Sequence, residues 1–180
     1  GATPPPPPAA RPTRELVLTF AAPHLVGPAD DPRLRLPKRA DEAVEPGALV
    51  LGAPQGELPA PADIVAATLE LPYNDSHDRA PTQLALVPLP AGGGAALDLA
   101  ALGEPVALTI LPQREAGPPF DPPRLATFDV TRALRSLIAR DGAGWAVRVW
   151  PNRSVDDGWT VRCSPVIGPG LRLVVHVATD

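Results

Sequence analysis

The sequence predicts an all-β protein, an antiparallel two-sheet β-sandwich of jelly-roll or Greek-key type with one short helix. Many brief apolar segments alternate with a period of two, which is typical of strands with one buried face. The chain has 27 prolines in 180 residues, about three times the ordinary share of roughly 5%. Because proline removes a backbone donor and ends helices, this content excludes long helices. Strands and helices do not alternate along the chain, so no parallel sheet is expected.

The chain divides into a proline-rich linker or arm, residues 1–13, and a β-sandwich domain, residues 14–180. Residues 4–8 are consecutive prolines, which favour an extended polyproline helix without internal hydrogen bonds. A disordered terminus explains the same composition. The remaining length suits one domain with a single core.

The first half of the domain contains two strongly alternating segments. Residues 14–20 place Leu16, Leu18 and Phe20 on one face, as a half-buried strand requires. Residues 64–73 form the clearest strand, in which Val65, Ala67, Leu69 and Leu71 share a face. Short strands are expected at residues 34–36 and 48–51, and the rest of residues 23–46 is polar and interrupted by prolines.

The second half contains further short apolar segments, each bounded by Gly, Pro, Asn or Asp. They predict strands at residues 83–87, 106–111, 125–130, 145–150, 159–163 and 171–177. In the last of these, Leu171, Leu173, Val175 and Val177 alternate with Arg172, Val174 and His176. One face of that strand is therefore expected to lie in the core.

One helix is predicted at residues 132–140, where Leu134, Leu137 and Ile138 recur at helical spacing. Asp129 or Thr131 is suited to cap its start, and Gly142 to end it.

The charge and the lengths of the apolar segments argue against nucleic acid as a partner and against a membrane span. The net charge is −4, and no basic cluster with interleaved aromatic residues is present, so nucleic acid is not expected. No apolar segment approaches the roughly 18 residues that a membrane span needs. The single cysteine, Cys163, is expected to be a small buried side chain, with an intermolecular disulfide or a reactive thiol as alternatives.

Three stretches of the sequence resemble the bacterial DNRLRE-type domains, which include carbohydrate-binding modules. The first matches at Ala67, Thr68, Leu69, Leu71 and Tyr73; the second at Asp129, Val130, Thr131 and Trp145; the third at Ser164, Pro169, Leu171, Leu173 and Val174. The resemblance covers residues 15–178 and implies a secreted or bacterial cell-surface protein. Because the chain begins with Gly1, we expect it to have been processed or engineered, and a lipid anchor upstream of Gly1 is one route to the surface.

A ligand site is predicted around the available aromatic rings, because the C–H face of a sugar stacks on an aromatic surface. Trp150 and Trp159 flank a polar loop. The candidate ligand-binding residues are Trp150, Trp159, Asn152, Arg153, Asp156, Asp157 and Tyr73. Packing of the two tryptophans across their own hairpin is the alternative. Trp145 alternates with Val147 and Val149 and is therefore assigned to the core.

No cofactor is expected, although the oxygen-rich residues Asn74, Asp75 and Asp78 are weak candidates for binding Ca²⁺. The chemistry of turns explains Asn and Asp at these positions equally well. The three histidines, His24, His77 and His176, lie far apart in the sequence and have no metal-ligand spacing. No nucleophile with a matching base is recognisable, so we expect no enzyme activity.

The sequence thus leaves two functions open. The first is a noncatalytic extracellular module that binds a polysaccharide or surface glycan, as the resemblance implies. The second is a structural subunit of a surface fibre, appendage or phage-like particle. Its partners are copies of itself or other surface proteins, joined through strand edges or the N-terminal arm.

Overall fold

The computed structural model describes residues 1–7, 11–27, 34–36, 47–75, 82–91, 97–98, 101–111, 123–150 and 161–179. Within these ranges the chain forms twelve strands, one α-helix and a 3-10 turn at Pro61–Asp63. The elements are β1 (Thr13–Phe20), β2 (His24–Val26), β3 (Leu34–Leu36), β4 (Ala48–Gly52), β5 (Pro54–Gln55), β6 (Ile64–Asp75), β7 (Thr82–Pro88), β8 (Ala107–Leu111), β9 (Arg124–Asp129), α1 (Thr131–Ala139), β10 (Gly144–Trp150), β11 (Val161–Pro165) and β12 (Arg172–Ala178).

The strands form two antiparallel sheets, which confirms the predicted all-β sandwich. In the seven-stranded sheet, six strands follow the order β3-β11-β6-β12-β1-β5, and the seventh strand is β9. Strand β9 pairs with the side of β6 that faces away from β12. The five-stranded sheet has the order β2-β4-β10-β7-β8. Few neighbours in either sheet are consecutive in the chain, so the chain repeatedly crosses between the sheets.

The core lies between the inner faces of the two sheets and consists largely of branched aliphatic side chains. Trp145 is 1% exposed, which confirms its predicted place in the core. Its ring packs edge to face against Phe20, with the ring centroids 6.2 Å apart. Cys163 is also buried, as expected for a small hydrophobic side chain.

Strand β6 departs from the predicted face at its first residues. Ala67, Leu69 and Leu71 are buried as expected, but the assignment of Val65 to the same face is wrong, because Val65 is 48% exposed. His176 of β12 pairs with Ala66, whereas the next residue, Val177, pairs with Ile64. This shift leaves Val65 without an opposite residue, so Ile64 enters the core in its place.

Strand β12 lies between β6 and β1. Its inner side chains Leu173, Val175 and Val177 are buried, as is Leu171 directly before the strand. The predicted alternation of this segment is confirmed.

The start of α1 protects the edge of β6 at the point where β9 ends. The backbone N–H of Val130 donates to the carbonyl of Ala67 (3.0 Å). The N–H of Ala67 donates to Oγ1 of Thr131 (3.0 Å). One turn later, Nε of Arg135 donates to the carbonyl of Ile64 (3.1 Å). The helix thus satisfies backbone groups that would otherwise be an open strand edge.

The caps of α1 agree in part with the sequence prediction. Oδ1 of Asp129 accepts hydrogen bonds from the backbone N–H (3.1 Å) and the hydroxyl (2.7 Å) of Thr131. At the other end Asp141, with φ of 50°, takes the left-handed conformation expected of a glycine. Gly142 instead donates its N–H to the carbonyl of Leu137 (2.9 Å). A Cβ at Gly142 would lie 2.5 Å from Cδ1 of Leu137, so close approach explains this glycine.

No helix in the described ranges is long and apolar enough to cross a membrane.

Asp129→Asn is expected to weaken the fold at neutral pH and to lose that effect in acid. The hydrogen bonds from Thr131 lower the pKa of the Asp129 carboxyl. Because the folded pKa lies below the unfolded one, the carboxylate stabilises the fold above about pH 4. This contribution is lost as the pH falls through the folded pKa. We expect a deficit of about 1 kcal/mol or less near pH 7, since the carboxylate is exposed.

Urea unfolding of both proteins between about pH 2 and pH 7 measures this effect. The exposed Glu104→Gln serves as the control for removing one negative charge elsewhere. A deficit that stays constant down to the lowest pH would contradict the assignment.

Candidate functional site

The outer face of the five-stranded sheet has a covered half and an open half. In the covered half, Ala48, Val50, Leu89 and Ala146 form a second buried cluster outside the main core. Leu97 and Leu102, which follow β7 in the chain, pack against this cluster. A connecting segment therefore closes this half of the face.

The open half carries a set of six side chains from β7, β8 and β10. They form two rows across the strands, because residues opposite each other in a sheet project to the same face. In one row Gln83 lies between Trp150 and Ile110; in the other Ala85 lies between Arg148 and Leu108. We call these six residues the outer platform.

The outer platform is partly apolar and accessible to solvent. Ile110 is 61% exposed and Leu108 is 49% exposed. Trp150, Arg148 and Gln83 are half-buried, and Ala85 is buried between the rows. Each row spans two strand spacings, or about 10 Å. The surface is thus wide enough to support a ring-shaped ligand that lies flat on the sheet.

A cation lies beside the aromatic ring of the outer platform. The Cζ atom of Arg148 is 6.0 Å from the ring centroid of Trp150, a distance at which a cation–π interaction operates. Burial lowers the pKa of the Arg148 guanidinium. The group is still a cation at neutral pH, because arginine does not lose its proton in proteins. Arg148 is the only charged member of the outer platform.

Trp150 differs in position from the other aromatic side chains that the structure describes. Phe20, Tyr73, Phe128 and Trp145 are all buried in the main core. Trp150 is half-buried on an outer face. In the described part of the chain it is therefore the one aromatic ring available to a ligand.

The outer face of the seven-stranded sheet has a different character. Nε of Arg172 on β12 donates to Oε1 of Glu70 on β6 at 3.1 Å. Val17 and Val174 lie opposite each other on the neighbouring strands. The described strands of this sheet carry no aromatic side chain on that face. Among the described residues, an outward aromatic ring is therefore found on the five-stranded sheet and not on this one.

The predicted ligand residues differ in where they lie in the structure. Trp150 faces outward beside Arg148, as its position in the strand indicated. The placement of Tyr73 in a surface site is wrong: this residue is 2% exposed and belongs to the main core. Tyr73 continues the inner face of β6 two residues after Leu71, and this explains its burial. The remaining candidates, Asn152, Arg153, Asp156, Asp157 and Trp159, lie outside the described residues.

The weak candidates for a calcium site are only partly covered by the structure. Asn74 is exposed near the end of β6, opposite Ser164 of β11. The backbone of Asp75 pairs with Cys163, and Asp78 lies outside the described residues. Where side chains are described, no group of three or more His, Cys, Asp or Glu residues is arranged to hold a metal ion.

Of the six residues of the outer platform, only Trp150 was predicted as a site residue, and Gln83, Ala85, Leu108, Ile110 and Arg148 were missed. Residues 106–111 are apolar on both alternating faces, so their pattern did not show which face points to the core. Residues 83–87 have the same ambiguity. Only the order of the strands in the sheet, in which β7 lies between β10 and β8, brings these residues beside Trp150.

No family model matches the sequence, and no curated protein is significantly similar to it. The resemblance to DNRLRE-type domains therefore stays a prediction.

Proposed function

We propose that the protein is a noncatalytic extracellular module that binds a polysaccharide or surface glycan on the outer platform. The observation that carries the proposal is the position of Trp150, which is outside the core on an open sheet face. The resemblance to a family that includes carbohydrate-binding modules supports it independently.

The outer platform supplies the two kinds of contact that a sugar requires. The ring of Trp150 offers a flat apolar surface to the C–H face of a pyranose. Gln83, directly across the sheet from Trp150, has an amide that both donates and accepts hydrogen bonds. The guanidinium of Arg148 adds several donors on the same side. Leu108 and Ile110 extend the apolar surface towards the next sugar along a chain.

Trp150→Ala is expected to weaken binding of the best polysaccharide about tenfold or more. Loss of the stacking surface removes at least about 1.4 kcal/mol, which corresponds to a factor of ten in affinity. Affinity gel electrophoresis against a panel of neutral and acidic polysaccharides identifies the ligand. Isothermal titration with a soluble oligosaccharide of that ligand then measures the difference.

Val17→Ala is the matched control, because Val17 is 46% exposed on the other sheet. We expect this variant to bind like the wild type. Trp159→Ala tests whether the second predicted tryptophan belongs to the same site. The proposal would be rejected if the wild type bound no polysaccharide, or if Trp150→Ala bound as tightly as Val17→Ala.

We propose a role as a structural subunit of a surface assembly as the second candidate function. Two observations favour it: the uncharged strand β8 is the last strand of the five-stranded sheet, and residues 1–7 are exposed. A fibre subunit is expected to form open-ended assemblies that lengthen with concentration. Electron microscopy of the pure full chain at increasing concentration separates this role from that of a discrete binding module.

A further inference from the structure

Strand β1 is the first strand in the chain and has partners of two kinds in the seven-stranded sheet. Its backbone pairs with β12 from Thr13 to Leu18, and Thr19 and Phe20 pair with β5. The side chains of Leu18 and Phe20 are buried in the main core, where Phe20 packs against Trp145. The place of β1 is therefore defined both by backbone pairing and by fitted side chains.

A short connection, residues 21–23, leads from β1 to β2 in the five-stranded sheet, and we call it the hinge. In the hinge, Ala22 has a φ of 40°, in the left-handed region. An L-residue other than glycine is strained there, because its Cβ comes too close to the following carbonyl oxygen. The next residue is Pro23, and a residue before proline favours an extended backbone. The folded monomer thus holds Ala22 against two separate preferences.

A second Ala-Pro pair in the same chain shows the backbone conformation that this dipeptide favours. Ala60, directly before Pro61, has a φ of −63° and a ψ of 138°. In the described ranges, Ala22 and Asp141 are the two residues other than glycine with a positive φ. Aspartate tolerates the left-handed conformation better than alanine does. Of the two, Ala22 is therefore the residue that gains more from an extended backbone.

We propose that β1 is exchanged between two copies of the protein, so that each copy inserts its β1 into the place that β1 occupies in the monomer of the other. The hinge then runs extended from one copy to the other, and Ala22 leaves the left-handed region. A second copy is the occupant, because its β1 has the same sequence and repeats both the pairing with β12 and the contact of Phe20 with Trp145. The contacts of β1 are thus kept, while the strain in both hinges is relieved.

The exchange closes at two copies. Once the first β1 has been donated, the second donation joins two chains that are already attached, so its effective concentration is high. The two copies have identical roles, as in other isologous contacts. The outer platform lies on β7, β8 and β10 of the other sheet, so the exchange leaves it unchanged. The exchanged dimer is therefore independent of polysaccharide binding.

The monomer and the exchanged dimer can be prepared by refolding the full chain. Detachment of β1 breaks its pairing with β12 and removes Phe20 from the core, so the two folded forms interconvert slowly. We expect refolding at low protein concentration to give monomer, and refolding at high concentration to give dimer as well. Size-exclusion chromatography then separates the two fractions.

A disulfide between β1 and β12 shows whether β1 has changed places. Val17 and Val174 lie opposite each other on these strands, at a spacing that a disulfide can bridge. The double variant Val17→Cys, Val174→Cys is oxidised after refolding, when Cys163 is buried. On a nonreducing denaturing gel, we expect the dimer fraction to run as a covalent dimer and the monomer fraction to run as a monomer.

The matched control places the cysteine pair on two strands that are not exchanged. Glu70→Cys and Thr127→Cys join β6 to β9, where the two residues lie opposite each other. We expect this pair to give a monomer band from both fractions. A dimer that associates through intact surfaces would give monomer bands with both cysteine pairs, and that result would overturn the exchange.

The hinge is tested by relieving its strain in the monomer. Ala22→Gly allows the left-handed conformation without a clash. We expect it to lower the apparent association constant, obtained from the dimer yield over a range of refolding concentrations, about tenfold for each hinge and about a hundredfold in total. Ala60→Gly makes the same replacement before a proline at an unstrained residue, and it is expected to dimerise like the wild type.

Three further results would contradict the exchange of β1 in a closed dimer. The first is a wild type that gives no dimer at any refolding concentration. The second is an Ala22→Gly protein that is folded by circular dichroism and dimerises as much as Ala60→Gly. The third is a ladder of larger covalent products from the Val17→Cys, Val174→Cys protein, which would indicate open-ended exchange.

Discussion

Gly144→Ala is expected to destabilise the protein by about 3 kcal/mol or more. A Cβ at this position would lie 2.1 Å from the carbonyl oxygen of Leu51 and 2.7 Å from the carbonyl carbon of Gly52. Both atoms belong to the backbone of β4, the strand paired with β10. The φ of Gly144 is 126°, a conformation that side chains other than glycine rarely adopt.

Relief of this contact requires separation of β4 from β10 at the point where their pairing begins. That movement also disturbs the hydrogen bond from the N–H of Leu89 to the carbonyl of Gly144 (3.0 Å). Chemical denaturation followed by circular dichroism measures the decrease in the free energy of unfolding. Gly168→Ala is the matched control, because a Cβ there meets nothing within 4 Å. Equal stability of the two variants would contradict the described approach of β4 and β10.

Trp145→Ala and Trp150→Ala are expected to differ strongly, although both residues lie on β10. Trp145 is in the core, and its truncation leaves a large cavity that costs about 3–5 kcal/mol. Trp150 is half-buried on the outer platform, so its truncation is expected to cost about 1 kcal/mol or less. We expect the opposite ranking for binding of the proposed polysaccharide ligand.

Urea unfolding of the two variants gives the difference in stability, and titration with the oligosaccharide gives the difference in affinity. Trp145→Ala is measured for binding under conditions where circular dichroism shows it to be folded. If Trp150→Ala were the less stable variant, the assignment of inner and outer faces on β10 would be wrong.

Much of the sandwich could be predicted because the side chains that face the core recur at every second residue of a strand. The segments that became β1, β6, β10 and β12 alternate over five or more residues, and the side chains that face the main core agree with the pattern except at Val65. The bulge at Val65 depends on how β12 pairs with β6, which one strand's pattern does not contain. Strands β2 and β5 were missed. Segments of two or three residues have few positions to show a period, and of the short strands only β3, with its Leu-Arg-Leu alternation, was predicted.

The candidate site was less predictable than the fold. Trp150 could be placed outside because it follows Arg148 at the spacing of one face. Tyr73 was assigned to the surface on the basis of its polar neighbours, although its spacing from Leu69 and Leu71 indicated the core. The outer platform joins strands that are distant in sequence, so its composition depends on the order of β10, β7 and β8. That order could not be derived from alternation alone.

The position of β12 also bears on how the chain is made. This strand is the last in sequence order, yet it lies between β6 and β1 in the seven-stranded sheet. During synthesis, β1 and β6 emerge early and remain without their common neighbour until the end of the domain has left the ribosome. Distant pairing of this kind is slow. Chaperones that hold newly made chains unfolded would therefore have a long interval in which to act before the sandwich closes.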